Sequence, residues 1–211
     1  AKDNQLLNFP YWIDIARYGK DDVQLFDIYK SHPYRFLSAG RIKNDLKGYD
    51  LAIRALSEIK NKFPFFKFEY RIAGTGPDEE KLKKLVVQLG ISQNVIFLGW
   101  LEQNQIIEEM KKTIFFIHPS PTLEPYGVAV LEAMASGMIV FASDKTGAAL
   151  DRIEHRKNGF LHSAGNIDQL ANQIICATQL DKKELANMRL EAWNTANKWP
   201  ISRALEILNT I

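Results

Sequence analysis

The sequence is poor in several features that mark particular classes of protein. Its only cysteine, Cys176, cannot form an internal disulfide, so nothing in the chain requires an oxidising compartment. The 27 basic and 25 acidic residues leave a net charge of +2, without the large basic excess of nucleic-acid-binding proteins. No apolar run approaches the roughly 18 residues of a membrane span. Asp-x-Asp, Gly-x-Ser-x-Gly and His/Cys clusters at metal-ligand spacing are also missing, which argues against a metal enzyme or a serine hydrolase.

The composition that is present is that of a globular protein. With 46% hydrophobic residues, 211 residues are enough for one large domain with its own core. Because the chain opens on Ala1 without an initiator methionine, we expect it to be a piece of a longer protein. Residues 1–33 mix aromatic residues with proline and show no periodicity. We therefore interpret them as a linker or irregular leader, and residues 34–211 as the domain.

From residue 34 onwards, short apolar segments alternate with segments of helical periodicity. Strands are predicted at 34–39, 66–73, 94–98, 114–117, 138–142 and 159–161, and helices at 47–63, 77–89, 102–112 and 125–136. After residue 166 the chain is predicted to be helical to its end, with a break at Trp199 and Pro200. Continuous apolar strands belong to a parallel sheet that is buried on both faces. The pattern predicts a doubly wound α/β fold, whose ligands bind at the carboxyl ends of the strands.

The loop after the first predicted strand is basic. It carries Arg41, Lys43 and Lys47 beside Gly40, just before a helix. Arginine can form paired hydrogen bonds with phosphate oxygens, and lysine adds a point charge. The loop is therefore either an anion site or a solvated basic turn.

The loop after the second predicted strand contains Gly74 and Gly76, like the start of a dinucleotide fingerprint. The third glycine is replaced by Glu79, and acidic residues fill positions 78–80. In the first turn of a helix they would repel a pyrophosphate. A nicotinamide-dependent dehydrogenase is therefore disfavoured, and the glycines are interpreted as a tight turn that lines a cleft.

The predicted helix 125–136 is apolar except for one carboxylate. Glu132 is the only charged residue between positions 125 and 142, and an unpaired buried carboxylate costs several kcal/mol, so it should face a polar cleft or a partner. Pro125 and Gly127 at the helix start leave backbone N–H groups open to a phosphate. Glu124 precedes the helix. We infer two carboxylates on either side of a phosphate-binding helix end; the alternative is that Glu132 caps a structural cation.

Two further residues are interpreted as structural. His118 follows the fourth predicted strand, next to a proline, where a single histidine is usually packed or capped. Cys176 lies in a helical segment and is most simply a small core residue.

Together these motifs resemble the family-4 (group 1) glycosyltransferases. The resemblance runs in order from about Phe36 to Leu161, and its most specific part is Glu124 and Glu132 separated by seven residues. The other matching motifs are Gly40-Arg41, Lys47-Gly48, Ile72-Ala73-Gly74-Thr75-Gly76-Pro77 and Val95-Ile96-Phe97-Leu98-Gly99-Trp100. The family has the GT-B architecture, in which two Rossmann-like domains face each other across a cleft. This chain resembles the C-terminal domain, which binds the sugar-nucleotide donor.

The resemblance implies a role for each matching residue. Arg41 and Lys47 would hold the donor diphosphate and, with Glu124 at the transferred sugar, form the catalytic group. Glu132 would bind the ribose hydroxyls. The remaining donor contacts would come from the amides of Tyr126, Gly127 and Val128, from the main chain around Trp100 and Leu101 at the base, and from Gly74 and Gly76 in the cleft wall.

The sequence departs from the family pattern at two places. Gly147-Ala148-Ala149-Leu150-Asp151 stands where the family commonly has Gly-Gly-x-Pro-Glu. The spacing from Arg41 to Lys47 is one residue longer than usual, so that Lys43 could take the place of Lys47.

The resemblance implies a retaining, metal-independent glycosyltransferase of the hexosyltransferase type, with a nucleoside-diphosphate sugar as donor and no cofactor. The acceptor, a glycan or a lipid-linked glycan, would bind to an N-terminal domain outside this chain, so the isolated chain is expected to be inactive. Such enzymes most often make polysaccharide or glycolipid in the cytoplasm, at the inner face of a membrane. A non-catalytic binding or partner subunit of the same fold is the alternative function.

Overall fold

The computed structural model describes residues 12–18 and 33–208, which form a six-stranded parallel sheet covered by helices. The strands are β1 Tyr34–Ala39, β2 Phe68–Ala73, β3 Val95–Gly99, β4 Phe115–His118, β5 Ile139–Ser143 and β6 Gly159–His162. The helices are α1 Asn44–Lys47, α2 Tyr49–Lys62, α3 Glu79–Gln88, α4 Gln103–Lys111, α5 Val128–Ala135, α6 Gly147–Arg152, α7 Ile167–Gln179, α8 Lys182–Asn197 and α9 Ile201–Leu208. Short 3₁₀ turns span Ile15–Tyr18 and Ser92–Asn94.

The strand order is β3-β2-β1-β4-β5-β6, and every pairing is parallel. The chain runs outwards from β1 to β3 and then returns to add β4 on the other side of β1. In open α/β sheets, the point where the strand order reverses opens a crevice at the carboxyl ends of the strands. The order reverses between β1 and β4, which pair through Phe36 and Leu37 with Phe115 and Phe116, and the crevice is expected beyond Ala39 and His118, where these two strands end.

The core has two layers, one on each face of the sheet. Successive strand residues point to opposite faces, so Phe36 belongs to the layer that contains residues of α2, α3 and α7, and Leu37 to the layer that contains residues of α4 and α5. Helix α8 contributes residues to both layers. Phe115 and Phe116 divide between the two layers in the same way. Burial on both faces explains why the strands are nearly continuous apolar runs, and it confirms the predicted doubly wound fold.

Several predicted boundaries are wrong. The helix predicted from Pro125 begins at Val128, and Gly127 is its N-cap. Helix α6 is additional to the predicted helices, and it contains the stretch 147–151 that departs from the family pattern. The C-terminal helical stretch has an additional break, at Leu180 between α7 and α8.

Cys176 is exposed, so its predicted place in the core is wrong. The buried side of α7 carries Leu170, Ile174 and Ala177, which follow one another at helical spacing. Cys176 falls outside that stripe because it is only two positions after Ile174.

Most of the predicted leader, residues 1–33, lies outside the described residues. Its described part, residues 12–18, packs against the domain: Ile13 forms a parallel bridge with Pro200, and Ile13 and Tyr18 are buried in the layer that contains α5. This short segment reaches the site described below.

Candidate active site

A cavity of about 1040 Å³ opens at the carboxyl ends of the strands. All predicted site residues line it: Arg41, Lys47, Gly74, Gly76, Trp100, Leu101, Glu124, Tyr126, Gly127, Val128 and Glu132. These residues come from five separate loops and helix starts. The fold therefore brings together the groups that the sequence patterns indicated one by one.

Glycines form the wall between the β1 and β2 loops. A Cβ on Gly74 would lie 2.0 Å from the carbonyl oxygen of Gly40, and one on Gly76 would lie 2.2 Å from that of Ile42. The backbones are tied together, since Gly40 N–H donates to Ala73 at 2.9 Å and Gly74 N–H donates to Gly99 at 2.7 Å. Only glycine permits so close an approach. Gly74 and Gly76 line the cavity, as predicted, in an irregular stretch between β2 and α3.

Glu124 lies between two nitrogen groups. Its Oε1 is 2.5 Å from Lys47 Nζ, and its Oε2 is 2.8 Å from Nε2 of the buried His118. Burial acts to raise the pKa of Glu124, but the hydrogen bonds and charges of His118 and Lys47 outweigh it and lower this pKa to about 2. The carboxylate is therefore ionised at neutral pH. It can only accept hydrogen bonds, so His118 Nε2 carries the proton that it donates to Glu124.

The two lysines of the basic loop have different positions. The single turn α1 ends at Lys47 and directs it to Glu124, whereas Lys43 precedes α1 and pairs with Asp45 at 3.5 Å. Lys43 lines a separate surface groove. Lys47 thus lines the cavity and Lys43 does not, so the suggestion that Lys43 takes the place of Lys47 does not fit the structure.

The N-terminus of α5 faces the cavity. Gly127 is its N-cap at φ +63°, and a Cβ there would lie 2.3 Å from Thr146 Cγ2. Among the described residues no side chain caps this helix end, and its first turn contains no acidic residue. The amides of Val128 and Ala129 have no acceptor within the helix, so the positive end of the helix dipole is directed at the cavity.

Glu132 lies further along α5, and its partner is a phenol. The Tyr18 hydroxyl donates a hydrogen bond of 2.8 Å to Glu132 Oε1. The predicted alternative, that Glu132 caps a structural cation, is therefore wrong for the described residues. Burial raises the pKa of Glu132, and the hydrogen bond from Tyr18 opposes that rise.

Arg41, Trp100 and Tyr126 are three of the exposed residues that line the cavity. Trp100 and Tyr126 are 72% and 62% exposed. Arg41 is exposed as well, and it makes no ion pair with any of the described residues. Its guanidinium therefore keeps its full capacity to bind an anion that enters the cavity.

Neither His118 nor Tyr18 is among the predicted site residues. His118 was interpreted as packed or capped, and it is buried; the additional finding is its hydrogen bond to Glu124. Its place at the carboxyl end of a strand, six residues before a candidate carboxylate, is a usable signal. Tyr18 has none, because it lies 114 residues from Glu132 in the chain.

Two further features concern metals and membranes. Among residues 12–18 and 33–208, no three His, Cys, Asp or Glu side chains are grouped so that they could hold a metal ion. Within the same ranges, no helix has both the length and the apolar composition needed to cross a bilayer.

The family model for glycosyl transferases group 1 matches residues 26–193, and the chain therefore belongs to this family. A relative in Escherichia coli, the putative colanic acid biosynthesis glycosyltransferase WcaL, is 28% identical over 82% of this chain and 42% of its own length. The amylovoran biosynthesis glycosyltransferase AmsK of Erwinia amylovora is 32% identical over 79% of this chain and 42% of its own length. The chain thus spans less than half the length of these two relatives.

Solved structures share the fold. Anabaena Alr3699/HepE, in complex with UDP and glucose, has a TM-score of 0.77 and 25% identity over 94% of this chain and 54% of its own. The C-terminal domain of the glycosyl transferase group 1 family protein LpcC from Francisella tularensis has a TM-score of 0.73 and 24% identity, over 88% of this chain and 97% of that one. These matches confirm the predicted Rossmann-like half of a GT-B fold.

Proposed function

We propose that this chain is the donor-binding domain of a retaining glycosyltransferase that uses a nucleoside-diphosphate sugar. The observation that carries the proposal is the cavity itself, where a free arginine, a helix N-terminus and two carboxylates in different environments converge. The Anabaena relative was solved with UDP and glucose, which supports a nucleotide-sugar donor for this chain. The acceptor, a glycan or lipid-linked glycan, would bind to a domain outside the chain, so the isolated chain would transfer little or no sugar.

The diphosphate would bind between Arg41, Lys47 and the first turn of α5. Lys47 has three donor hydrogens and uses one on Glu124, which leaves two for phosphate oxygens. Negative charge develops on the leaving nucleotide as the bond to the sugar breaks, and preorganised cations and amides stabilise that charge. We propose that these groups replace the metal ion that other transferases use, and that no cofactor is needed.

Glu124 would bind hydroxyl groups of the transferred sugar. A carboxylate with a pKa of about 2 is a weak general base near neutral pH, but it is a strong and permanent hydrogen-bond acceptor. His118 and Lys47 each hold one of its oxygens, which fixes its orientation. Its role is therefore to position the sugar and to stabilise positive charge that develops at the anomeric carbon.

Glu132 would bind the ribose, and the exposed rim at Trp100 would bind the base. A carboxylate can accept hydrogen bonds from two vicinal hydroxyls, as the 2′ and 3′ groups of ribose provide. Trp100 and Leu101 follow β3 at the mouth of the cavity and offer both main-chain groups and an aromatic surface. By analogy with the polysaccharide-synthesis names of the two relatives, the whole protein would act in polysaccharide synthesis.

Calorimetric titration of UDP, GDP and ADP into the full chain tests this proposal. We expect at least one of the three to bind, and Arg41→Ala to weaken that binding about tenfold, the effect of losing one charged hydrogen-bonding group. Arg35→Ala is the matched control, because Arg35 lies in β1 near its amino end and pairs with Glu69. If none of the nucleotides binds at millimolar concentration, the site assignment is wrong.

A non-catalytic binding subunit is the second candidate function. The observation in its favour is the changed stretch 147–151, which forms α6 and does not line the cavity. Both candidates bind nucleotide, so binding alone does not separate them. Hydrolysis or transfer of a bound nucleotide-sugar by the full-length protein supports the enzyme, whereas binding with no turnover on any acceptor supports the subunit.

A further inference from the structure

Tyr18 belongs to the short described segment that precedes the domain, yet it reaches the centre of the cavity. It ends the 3₁₀ turn Ile15–Tyr18, is 2% exposed, and lines the cavity beside Glu132. Its hydroxyl donates to Glu132 Oε1 at 2.8 Å. A side chain from outside the βαβ units therefore completes the environment of one of the two carboxylates in the cavity.

The turn is held in place by contacts independent of Glu132. Arg17 donates through Nη1 to Gln103 Oε1 at 2.5 Å, at the start of α4, and through Nε to Asp14 at 3.1 Å. Ile13 forms a backbone bridge with Pro200, just before α9. Two of these contacts, at Gln103 and at Pro200, join the segment to the domain, and the third, to Asp14, lies within the segment. The Tyr18 hydroxyl is therefore placed by the fold and not by Glu132 alone.

The phenol acts as a donor under all ordinary conditions. Burial, followed by the nearby charge of Glu132, raises the Tyr18 pKa well above its usual value, so the hydroxyl keeps its proton. Its hydrogen bond engages only Oε1. Within the described part of the chain the Glu132 carboxylate has no other hydrogen-bond partner, which leaves Oε2 with its acceptor capacity unused.

We propose that Tyr18 is a positioning residue that locks the Glu132 carboxylate in one orientation and thereby sets the preference of the site for ribonucleotides over deoxyribonucleotides. With Oε1 held, the carboxylate cannot rotate, and Oε2 faces the ribose hydroxyls. Without the phenol, Glu132 is a carboxylate on an apolar helix with no partner, and it is free to turn or to take up a proton. This inference rests on the proposed function, because it assumes that Glu132 contacts ribose.

The test compares Tyr18→Phe with the unaltered full chain, using UDP, 2′-deoxy-UDP and 3′-deoxy-UDP, or the corresponding guanosine or adenosine set if that base binds better. The unaltered protein should prefer the ribonucleotide. Tyr18→Phe should weaken ribonucleotide binding about tenfold, as expected for one hydrogen bond to a charged group, and leave the weaker deoxynucleotide binding nearly unchanged. The selectivity ratio, which is the affinity for the ribonucleotide divided by that for the deoxyribonucleotide, should therefore fall towards one. A merely structural role would weaken all of these ligands by the same factor.

Tyr70→Phe is the matched control. It removes the same hydroxyl from a fully buried tyrosine that bonds to Ser38 in the core layer on the opposite face of the sheet from Tyr18. It should leave the selectivity ratio unchanged. Should Tyr18→Phe fold poorly, the ratio is measured instead for Glu132→Gln, which keeps an acceptor for Tyr18 but loses the charge that the phenol orients.

A double-mutant cycle gives the second, independent result. In the Glu132→Ala background, Tyr18→Phe should change ribonucleotide affinity by less than about twofold, because a positioning residue acts only through its partner. An undiminished ribose preference in Tyr18→Phe, or equal effects of Tyr18→Phe with and without Glu132, overturns the inference while leaving the proposed function intact. No nucleotide binding by the unaltered protein overturns both. Binding without any ribose preference overturns the ribose role of Glu132 and this inference with it.

Discussion

The carboxylate of Glu124 should contribute measurably to stability, and the contribution should depend on pH. Lys47 and His118 hold its two oxygens and lower its pKa from 4.5 to about 2. At about 1.36 kcal/mol for each tenfold change in proton affinity, that difference corresponds to about 3 kcal/mol. The Glu124 side chain is 19% exposed, and solvent screening reduces the net contribution to about 1–2 kcal/mol.

Glu124→Gln removes the charge with little change in volume. Because the folded-state pKa is depressed, the stabilisation is fully present above the unfolded pKa and is lost as the pH falls through the folded pKa. The window therefore runs from about pH 4.5 down to about pH 2. For a domain of this size, a loss of 1–2 kcal/mol lowers Tm by about 2–8 °C. We expect this difference near pH 7, and we expect it to shrink steadily below pH 4.5.

Thermal unfolding followed by circular dichroism at several pH values measures the difference. Glu154→Gln is the matched control, because Glu154 pairs with Lys157 at 2.9 Å on the open surface, where an ion pair contributes little. A Tm deficit in Glu124→Gln that is equal near pH 7 and near pH 3 would show that shape, and not charge, stabilises this site. The absence of any deficit at neutral pH would refute the assigned contacts.

Three other substitutions have expected outcomes. Glu132→Gln should raise Tm near neutral pH, because burial raises the pKa of this carboxylate and its charge therefore lowers the stability of the fold above that pKa. The same substitution should weaken ribonucleotide binding, because it removes the charge proposed to bind the ribose. Arg41→Ala should weaken the binding of nucleoside diphosphates. It should change Tm by less than about 2 °C, since the exposed guanidinium has no ion pair with a described residue. Gly127→Ala should lower the free energy of unfolding by at least about 1–2 kcal/mol, because a residue with a Cβ is strained in the left-handed conformation. The close contact of that Cβ with Thr146 adds to the loss, which urea unfolding measures.

The sheet was predictable because its strands are buried on both faces. Residues such as Phe36 and Leu37 must both be apolar when one points into each core layer, and such runs stand out against the amphipathic helices. Helix α6 was not predictable in the same way. It has six residues and begins with glycine, and tertiary contacts fix its start, where the N–H of Gly147 donates to Glu124 and that of Ala148 donates to Tyr126.

Most members of the site were predictable, whereas their pairings and the contributions of His118 and Tyr18 were not. Parallel strands end at one edge of the sheet, so residues that follow them meet in one cavity. Which lysine meets Glu124 depends on the single turn α1, which is too short to leave a periodic pattern. The choice between Lys43 and Lys47 is therefore a property of the folded loop. The hydrogen bond from Tyr18 to Glu132 is even less predictable, because no local sequence pattern links these two residues.

These pairings decide which groups an incoming diphosphate meets. Two carboxylates in one cavity would repel an anionic donor if both were open to it. Lys47 and His118 compensate the charge of Glu124, and Tyr18 donates to Glu132. The attraction for the diphosphate then comes mainly from Arg41 and the amides at the start of α5, with Lys47 shared between phosphate and Glu124. Loss of Arg41 should consequently affect binding of the nucleotide diphosphate itself, while Glu124 should matter most once a sugar is attached.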